Sequence, residues 1–174
     1  MLGPALIFLS DDGLFPNSSL PVLYYNQVIT KDGDNNSIEF IKLFNSYNWT
    51  NHWVGGIHTI HHYHSNTHEV LGVIKGGTTL MLGGDNGQKL DIEQGDVLVI
   101  PAGVAHKNLR SENQVLCVGA YPEGRGYDMN YGTSGERPLV DRNIGSVSIP
   151  DTDPIYGKEA GLPKIWPHYF SFNQ

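Results

Sequence analysis

The strongest constraint on this chain's fold is a series of short apolar runs, each closed by glycine. Val70-Leu71-Gly72-Val73-Ile74, Thr78-Thr79-Leu80-Met81-Leu82, Asp96-Val97-Leu98-Val99-Ile100 and the stretch from Val115 to Tyr121 read as strands. Between them lie Gly76-Gly77, Gly83-Gly84-Asp85-Asn86-Gly87, Glu93-Gln94-Gly95 and Pro101-Ala102-Gly103, which supply the backbone angles that tight turns need. Many short strands at regular spacing predict an all-β sandwich or barrel. One segment departs from this. Ile38, Ile41 and Phe44, with Phe40 and Leu43 beside them, recur at helical spacing. Asn36 would cap this short helix and Glu39 would complete a capping box, leaving about three turns packed outside the sheet.

The chain has 174 residues, which suits one domain. From Pro122 onward lie six of the ten prolines and seven glycines, against long regular elements. Yet Tyr127, Tyr131, Ile144, Ile149, Tyr156, Ile165, Trp166, Tyr169 and Phe170 make this stretch too apolar for a disordered tail. It reads as an ordered arm that wraps the barrel or a partner subunit. The net charge of −7, without a basic cluster, argues against nucleic acid or an anionic membrane as partner. No apolar stretch approaches the ~18 residues of a membrane span. The opening apolar run has no positive leader before it and meets Asp11-Asp12 at once, so a cytoplasmic protein is expected. The single cysteine, Cys117, excludes a disulfide framework and reads as a buried, inert thiol.

Six of the eight histidines fall between His52 and His68. In an extended strand alternate residues share a face, so His62 and His64 point the same way, within reach of one metal ion. His61 and Tyr63 then point away. After a turn at Ser65-Asn66, Glu69 returns as an anionic oxygen ligand, or His68 takes its place if the turn is one residue shorter. A fourth ligand must come from elsewhere, and His106 is the remaining well-placed histidine. His58 shares the parity of His62 but sits ~13 Å along the strand, which makes it a lining residue at most. His52 and His168 carry no pattern and read as surface.

Gly56-x5-His62-x-His64-x4-Glu69-x6-Gly76 and Gly95-x5-Pro101-x-Gly103-x2-His106 resemble the two motifs of the cupin superfamily, with every fixed position in order. The remainder is similar to small single-domain bacterial cupins. The resemblance implies a double-stranded β-helix, the cupin jelly-roll barrel, with one short N-terminal helix and an irregular C-terminal arm. The whole chain, 1–174, would form one domain: barrel core about 50–125, N-terminal arm 1–49, C-terminal arm 126–174. It also implies His62, His64, Glu69 and His106 as ligands of one metal. Where cupins often have Asn, four residues past the second-motif histidine, this chain has Arg110.

Three imidazoles and a carboxylate mix borderline nitrogen with hard oxygen, and offer no thiolate. Such a set suits one divalent transition metal per chain, with Fe(II) favoured and Mn(II), Ni(II), Co(II) or Zn(II) as alternatives. Four protein ligands on an octahedral ion leave two adjacent positions open, enough for a chelating substrate or for a substrate oxygen beside O₂. The expected function is a metal-dependent enzyme acting on a small oxygenated molecule, oxygenase chemistry ahead of isomerase or epimerase chemistry. A non-catalytic binding or sensory cupin is the rival, since this fold hosts both. Arg110 and Asn108 share the parity of His106 and, with Tyr121, are the candidate substrate residues; an inward Arg110 would call for an anionic substrate group. Arg125, Tyr127 and Asp128 lie where the chain leaves the barrel and could form its rim. No catalytic acid or base is identified. Cupins of this size often pair, and exposed Ile165-Trp166-Pro167 would be adhesive, so a homodimer is expected.

Overall fold

The computed structural model describes residues 3–30 and 36–170. Eight antiparallel strands account for most of the regular structure: β1 (Ala5–Leu9), β2 (Ser18–Tyr25), β3 (Trp49–Gly55), β4 (Glu69–Leu82), β5 (Gln88–Glu93), β6 (Val97–Ile100), β7 (His106–Asn108) and β8 (Val115–Pro122). Helix α1 (Asn36–Ser46) precedes β3, and two short helices, α2 (Leu139–Ser146) and α3 (Leu162–Ile165), belong to the C-terminal arm. The sheet order is β1-β2-β6-β4-β8-β3, and β5 and β7 pair with the far half of β4. The strand pattern called for an all-β sandwich or barrel, and the arrangement is the jelly-roll barrel that the motif resemblance implied.

Strand β4 organises the barrel because it belongs to both layers. Residues 69–76 pair with β6 and β8, and residues 77–82 pair with β5 and β7. The Gly76-Gly77 pair is therefore no turn, as its sequence suggested. It is a bend inside one long strand, where Gly76 at φ +74° takes a conformation that L side chains rarely adopt. A Cβ there would sit 2.1 Å from the carbonyl oxygen of Gln114.

The two faces of this sheet bury different cores. Inside the barrel lie Val22, Leu71, Val73, Leu80, Leu82, Leu98, Ile100 and Cys117. On the outer face, Leu23, Val70, Val97, Val99, Val118 and Ala120 pack with Phe40, Phe44, Trp49, Leu162 and Trp166. The runs at 70–74 and 97–100 lack alternation because both faces are covered. Burial drives the Cys117 thiol up to about 12, so it is inert at neutral pH.

The N-terminal arm is more than a helix, since it supplies β1 and β2, and β2 extends the sheet through β6. In α1 the buried stripe is Asn36, Phe40 and Phe44, while Ile38 is 48% exposed. Phe40 lies against Gly72, where a Cβ would come 2.9 Å from the ring. Asn36 is already helical, and its side-chain atoms find no partner among the described residues, so it does not cap the N–H groups of Ile38 or Glu39 as expected.

The arm beyond β8 closes over the outer face of its own chain. Trp166 Nε1 donates to the Pro21 carbonyl (2.9 Å), and Trp49 Nε1 donates to the Thr152 carbonyl (3.0 Å). Trp166 is fully buried, so it offers no adhesive patch, and the local reason for a homodimer falls away. Among the described residues no helix is long and apolar enough to cross a membrane.

Candidate metal centre

The site is built on the register of β4 and β8. Leu71 pairs with Gly119 and Val73 with Cys117, so Glu69 and Tyr121 meet on the same inner face one step further on. The Tyr121 hydroxyl donates to Glu69 Oε1 (2.9 Å) and accepts from Trp53 Nε1 (2.9 Å). Gly119 makes room for this, because a Cβ would lie 2.2 Å from the Trp53 indole. One carboxylate oxygen is thereby fixed, and the other is turned towards the histidines.

Residues 57–68 form no regular strand, contrary to the sequence expectation. His62 pairs with His106 and Tyr63 with Asn130 in isolated bridges only. The extended alternation nevertheless holds. His62 and His64 border the inner cavity, whereas His61 binds Asp85 (2.9 Å) and the Tyr63 hydroxyl donates to Glu136 (2.6 Å) on the other side. His106 follows the Pro101-Ala102-Gly103 turn. There Gly103, at φ +93°, donates its N–H to the His64 carbonyl (2.8 Å), tying the two motif segments together.

Each of the three imidazoles is oriented by a backbone carbonyl at Nδ1. His62 bonds Ile60 (3.0 Å), His64 bonds Asp128 (2.6 Å) and His106 bonds Val104 (3.0 Å). A carbonyl only accepts, so each Nδ1 carries a proton, and Nε2 is the ring atom turned towards the site. For His64 and His106 that Nε2 faces Glu69 Oε2, at 3.4 and 3.5 Å. Two acceptors in contact repel unless a proton or a metal cation lies between them. The His62 ring completes the group, its centroid 4.2 Å from that of His106 and 6.1 Å from that of His64.

Protonation follows this geometry. Burial lowers the His64 imidazole, but the adjacent Glu69 carboxylate more than reverses that and holds it above the ordinary histidine range. Burial raises Glu69, but His64 and His106 outweigh it and keep the carboxyl well below its usual range. Burial, with His106 nearby, depresses His62 to about 3.

Among the described residues no three or more His, Cys, Asp or Glu side chains already form a group that could hold a metal ion. The pairwise spacing nevertheless approaches one. Adjacent donors ~2.0–2.2 Å from one octahedral ion lie roughly 3.0 Å apart, and Glu69 Oε2 stands 3.4 and 3.5 Å from the His64 and His106 Nε2 atoms, a few tenths of an ångström wider. The donor set and the orientation of the imidazoles fit a divalent cation.

The cavity above the four residues measures about 460 Å³. Trp53, Ile57, Leu71, Tyr121, Tyr127, Met129 and Tyr131 supply most of its wall, with His58 at its edge. Of the three proposed substrate residues only Tyr121 is there. Arg110 is exposed and outside the cavity lining. Asn108 is buried but already used: its Oδ1 accepts from Thr78 Oγ1 (2.5 Å) and the Arg110 N–H (2.9 Å), and its Nδ2 donates to Ser111 (3.2 Å). The strand is only three residues long, so parity with His106 does not carry as far as Arg110. Arg125 is also outside, beside Glu123.

His68 lies on the far side of the sheet, so the ligand alternative it offered is not realised. Its Nδ1 accepts from the Ala102 N–H (2.9 Å), its Nε2 bonds the Ser148 carbonyl (3.2 Å), and its ring packs on Trp166. His58 meets the His62 ring edge-on at 5.1 Å. His168 is exposed, and His52 is half-buried.

Sequence reasoning missed Met129 and took Tyr127 only as rim. The signal was present in Tyr127-Asp128-Met129-Asn130-Tyr131, where apolar and polar residues alternate as in a strand. Residues 127, 129 and 131 face the cavity, while 128 and 130 bind the histidine segment. Asp128 accepts from the Ser65 N–H (2.6 Å) and from the Ser65 hydroxyl.

A family model described as a cupin domain matches residues 50–118. The uncharacterised protein YjlB of Bacillus subtilis (strain 168) is 38% identical over 160 residues, covering 91% of this chain and 94% of its own length. Among solved structures, an acireductone dioxygenase from Bacillus anthracis, with a cadmium ion in its active centre, has a TM-score of 0.41 at 18% identity. That match covers 62% of this chain and 82% of the other, and nothing about activity follows from a likeness so distant.

Proposed function

This chain belongs to the cupin family, and from that premise we propose that it is a metal-dependent oxygenase acting on a small oxygenated molecule. His62, His64, Glu69 and His106 would hold one divalent transition metal, Fe(II) ahead of Mn(II), Ni(II), Co(II) or Zn(II). The observation that carries this reading is the convergence of two imidazole Nε2 atoms on one carboxylate oxygen, on the wall of a cavity. When bound, the ion would supply redox or Lewis-acid chemistry.

The protein's own part is positioning. Three carbonyls aim the imidazoles, which lowers the reorganisation needed when the cation is captured. Tyr121 occupies Glu69 Oε1 and leaves Oε2 as the donor. Pairing of two copies is a further part of this proposal, and light scattering reporting twice the monomer mass would support it.

Protein purified anaerobically and loaded with Fe(II) is screened in an oxygen electrode against small phenols, thiols and keto acids. Oxygen uptake matched to substrate loss, abolished in His106→Ala, is the expected result. Turnover without oxygen uptake would replace oxygenase by isomerase chemistry. Tight ligand binding without turnover would overturn the enzyme reading in favour of a binding module.

A further inference from the structure

The wall of the cavity says what shape and charge of molecule belongs in it. None of the residues lining it is Lys or Arg. Lys107 binds Asp85 at 2.9 Å, Arg125 lies beside Glu123 at 3.4 Å, and Arg110 is exposed outside the lining. Glu69 at the cavity floor contributes a buried negative charge. A divalent cation held there, less the charge of Glu69, can neutralise one further negative charge. A second anionic group would be left without a cationic partner beside the Glu69 carboxylate, which is costly.

Shape comes from the tyrosines. Tyr121 and Tyr127 are stacked, with centroids 4.7 Å apart and planes 23° apart, and the His64 ring meets Tyr127 at 4.9 Å. Tyr121 covers one face of Tyr127, yet Tyr127 is 44% exposed and Tyr131 is 47% exposed. Exposed rings on a loose loop would mean little. These rings are held: Asp128 is tied to Ser65 and His64, Asn130 exchanges two backbone bonds with Tyr63, and the Tyr131 N–H donates to Glu136 (2.8 Å). Glu136 is anchored in turn by Tyr63, Gly132 and Thr133. A rigid, accessible aromatic surface is the form expected of a stacking platform, because its ordering cost is met before binding. The volume sits near the lower end of the ~300–1,000 Å³ range of ligand pockets, which favours a small molecule.

We propose that the ligand of this cavity is a planar conjugated molecule carrying at most one negative charge, chelating through paired oxygens while its ring stacks on Tyr127. This deepens the metal-site reading and excludes small dicarboxylates as the natural ligand class.

Calorimetric titration of Zn(II)-loaded protein, which is redox-silent, tests it with three O,O-chelators. Maltol is planar with one charge, glycolate has one charge and no ring, and oxalate has two charges. Relative to their order for Zn(II) in buffer, maltol should gain at least tenfold over both others. Tyr127→Ala should lose about tenfold for maltol and leave glycolate unchanged, and Tyr127→Phe should behave as wild type. If Tyr127→Ala does not fold, Tyr131→Ala takes its place. Oxalate gaining on maltol, or Tyr127→Ala weakening all three equally, would overturn the proposal. A separate arm uses metal-free protein and phenol, a ring that does not chelate. Saturable quenching of tryptophan fluorescence, weakened in Tyr127→Ala, would support the stacking platform even if zinc failed to load. No saturable binding there would overturn it.

Discussion

Glu69 inside the barrel and Asp153 in the C-terminal arm are both almost fully buried carboxylates, and they are partnered in opposite ways. Asp153 receives four donors: the Tyr25 hydroxyl (2.5 Å) and the Leu162 N–H (2.9 Å) on one oxygen, the Ile155 (2.8 Å) and Tyr156 (3.0 Å) N–H groups on the other. Gly161 lies so close to it that a Cβ would come 2.1 Å from Oδ2. Every lone pair has its use, so the group is a hub that holds the arm in shape. Among the described residues Glu69 accepts from the Tyr121 hydroxyl and otherwise faces the Nε2 atoms of His64 and His106 beside a cavity. A carboxylate saturated by the protein supports the fold. One whose free oxygen faces two imidazoles is placed to share a proton or a cation with them.

The largest effect that would test this contrast is on stability. Asp153→Ala leaves several buried donors without partners and should cost about 3–5 kcal/mol, lowering Tm by on the order of 10 °C. Metal content per folded chain should stay at the wild-type level. Loss of metal from a well-folded variant would show that the two regions are not separable.

Acid should discriminate the arm side of the sheet next. Burial, together with the Ala102 N–H aimed at Nδ1, holds His68 neutral with its pKa down at about 4. Its folded value lies below the unfolded ~6.5, so the unfolded chain takes up the proton first. The stabilisation is fully present above about pH 6.5 and is lost as pH falls towards about 4, by up to roughly 3 kcal/mol. Urea titrations at pH 7 and pH 5 should show that loss in wild type and a shallower one in His68→Gln. Equal slopes would mean that the buried imidazole is not what senses acid.

Glu69→Gln should behave as the mirror image of Asp153→Ala. It should weaken metal binding at least 100-fold, about 2.7 kcal/mol, while costing the metal-free protein less stability than the arm variant does. Smallest is Tyr121→Phe, which frees Glu69 Oε1 and leaves Trp53 Nε1 without its acceptor. An outer partner of this kind is worth about tenfold in metal affinity. An unchanged affinity would remove Tyr121 from the positioning of Glu69.

The same two regions differ in how far they could be read from sequence. The four proposed ligands were legible because each is fixed by a local device, namely alternation along 62–64, the turn at 65–66 and the Pro-x-Gly turn before His106. The barrel was legible from its glycine-bounded runs. What escaped was set by distant contacts. Gly76-Gly77 reads as a turn locally, yet β4 runs through it because β8 and β5 take over from each other as partners there. The same is true of β2, whose place beside β6 has no local signature. Arg110 was placed inward by parity alone, although β7 ends at Asn108. Trp166 looked adhesive because nothing near it in sequence shows that Pro21 and His68 cover it. The unbroken apolar runs at 70–74 and 97–100 carried an unread signal, since strands covered on both faces lack alternation.

The central claim is that Glu69 and the three imidazoles share a cation. Elemental analysis of protein purified anaerobically without chelator, beside His62→Ala and His106→Ala, tests it most directly. About one divalent transition metal per chain, absent from both variants while their folds persist, is the predicted result. Metal-free wild type that takes up none of Fe(II), Mn(II), Co(II), Ni(II) or Zn(II) on titration would contradict it.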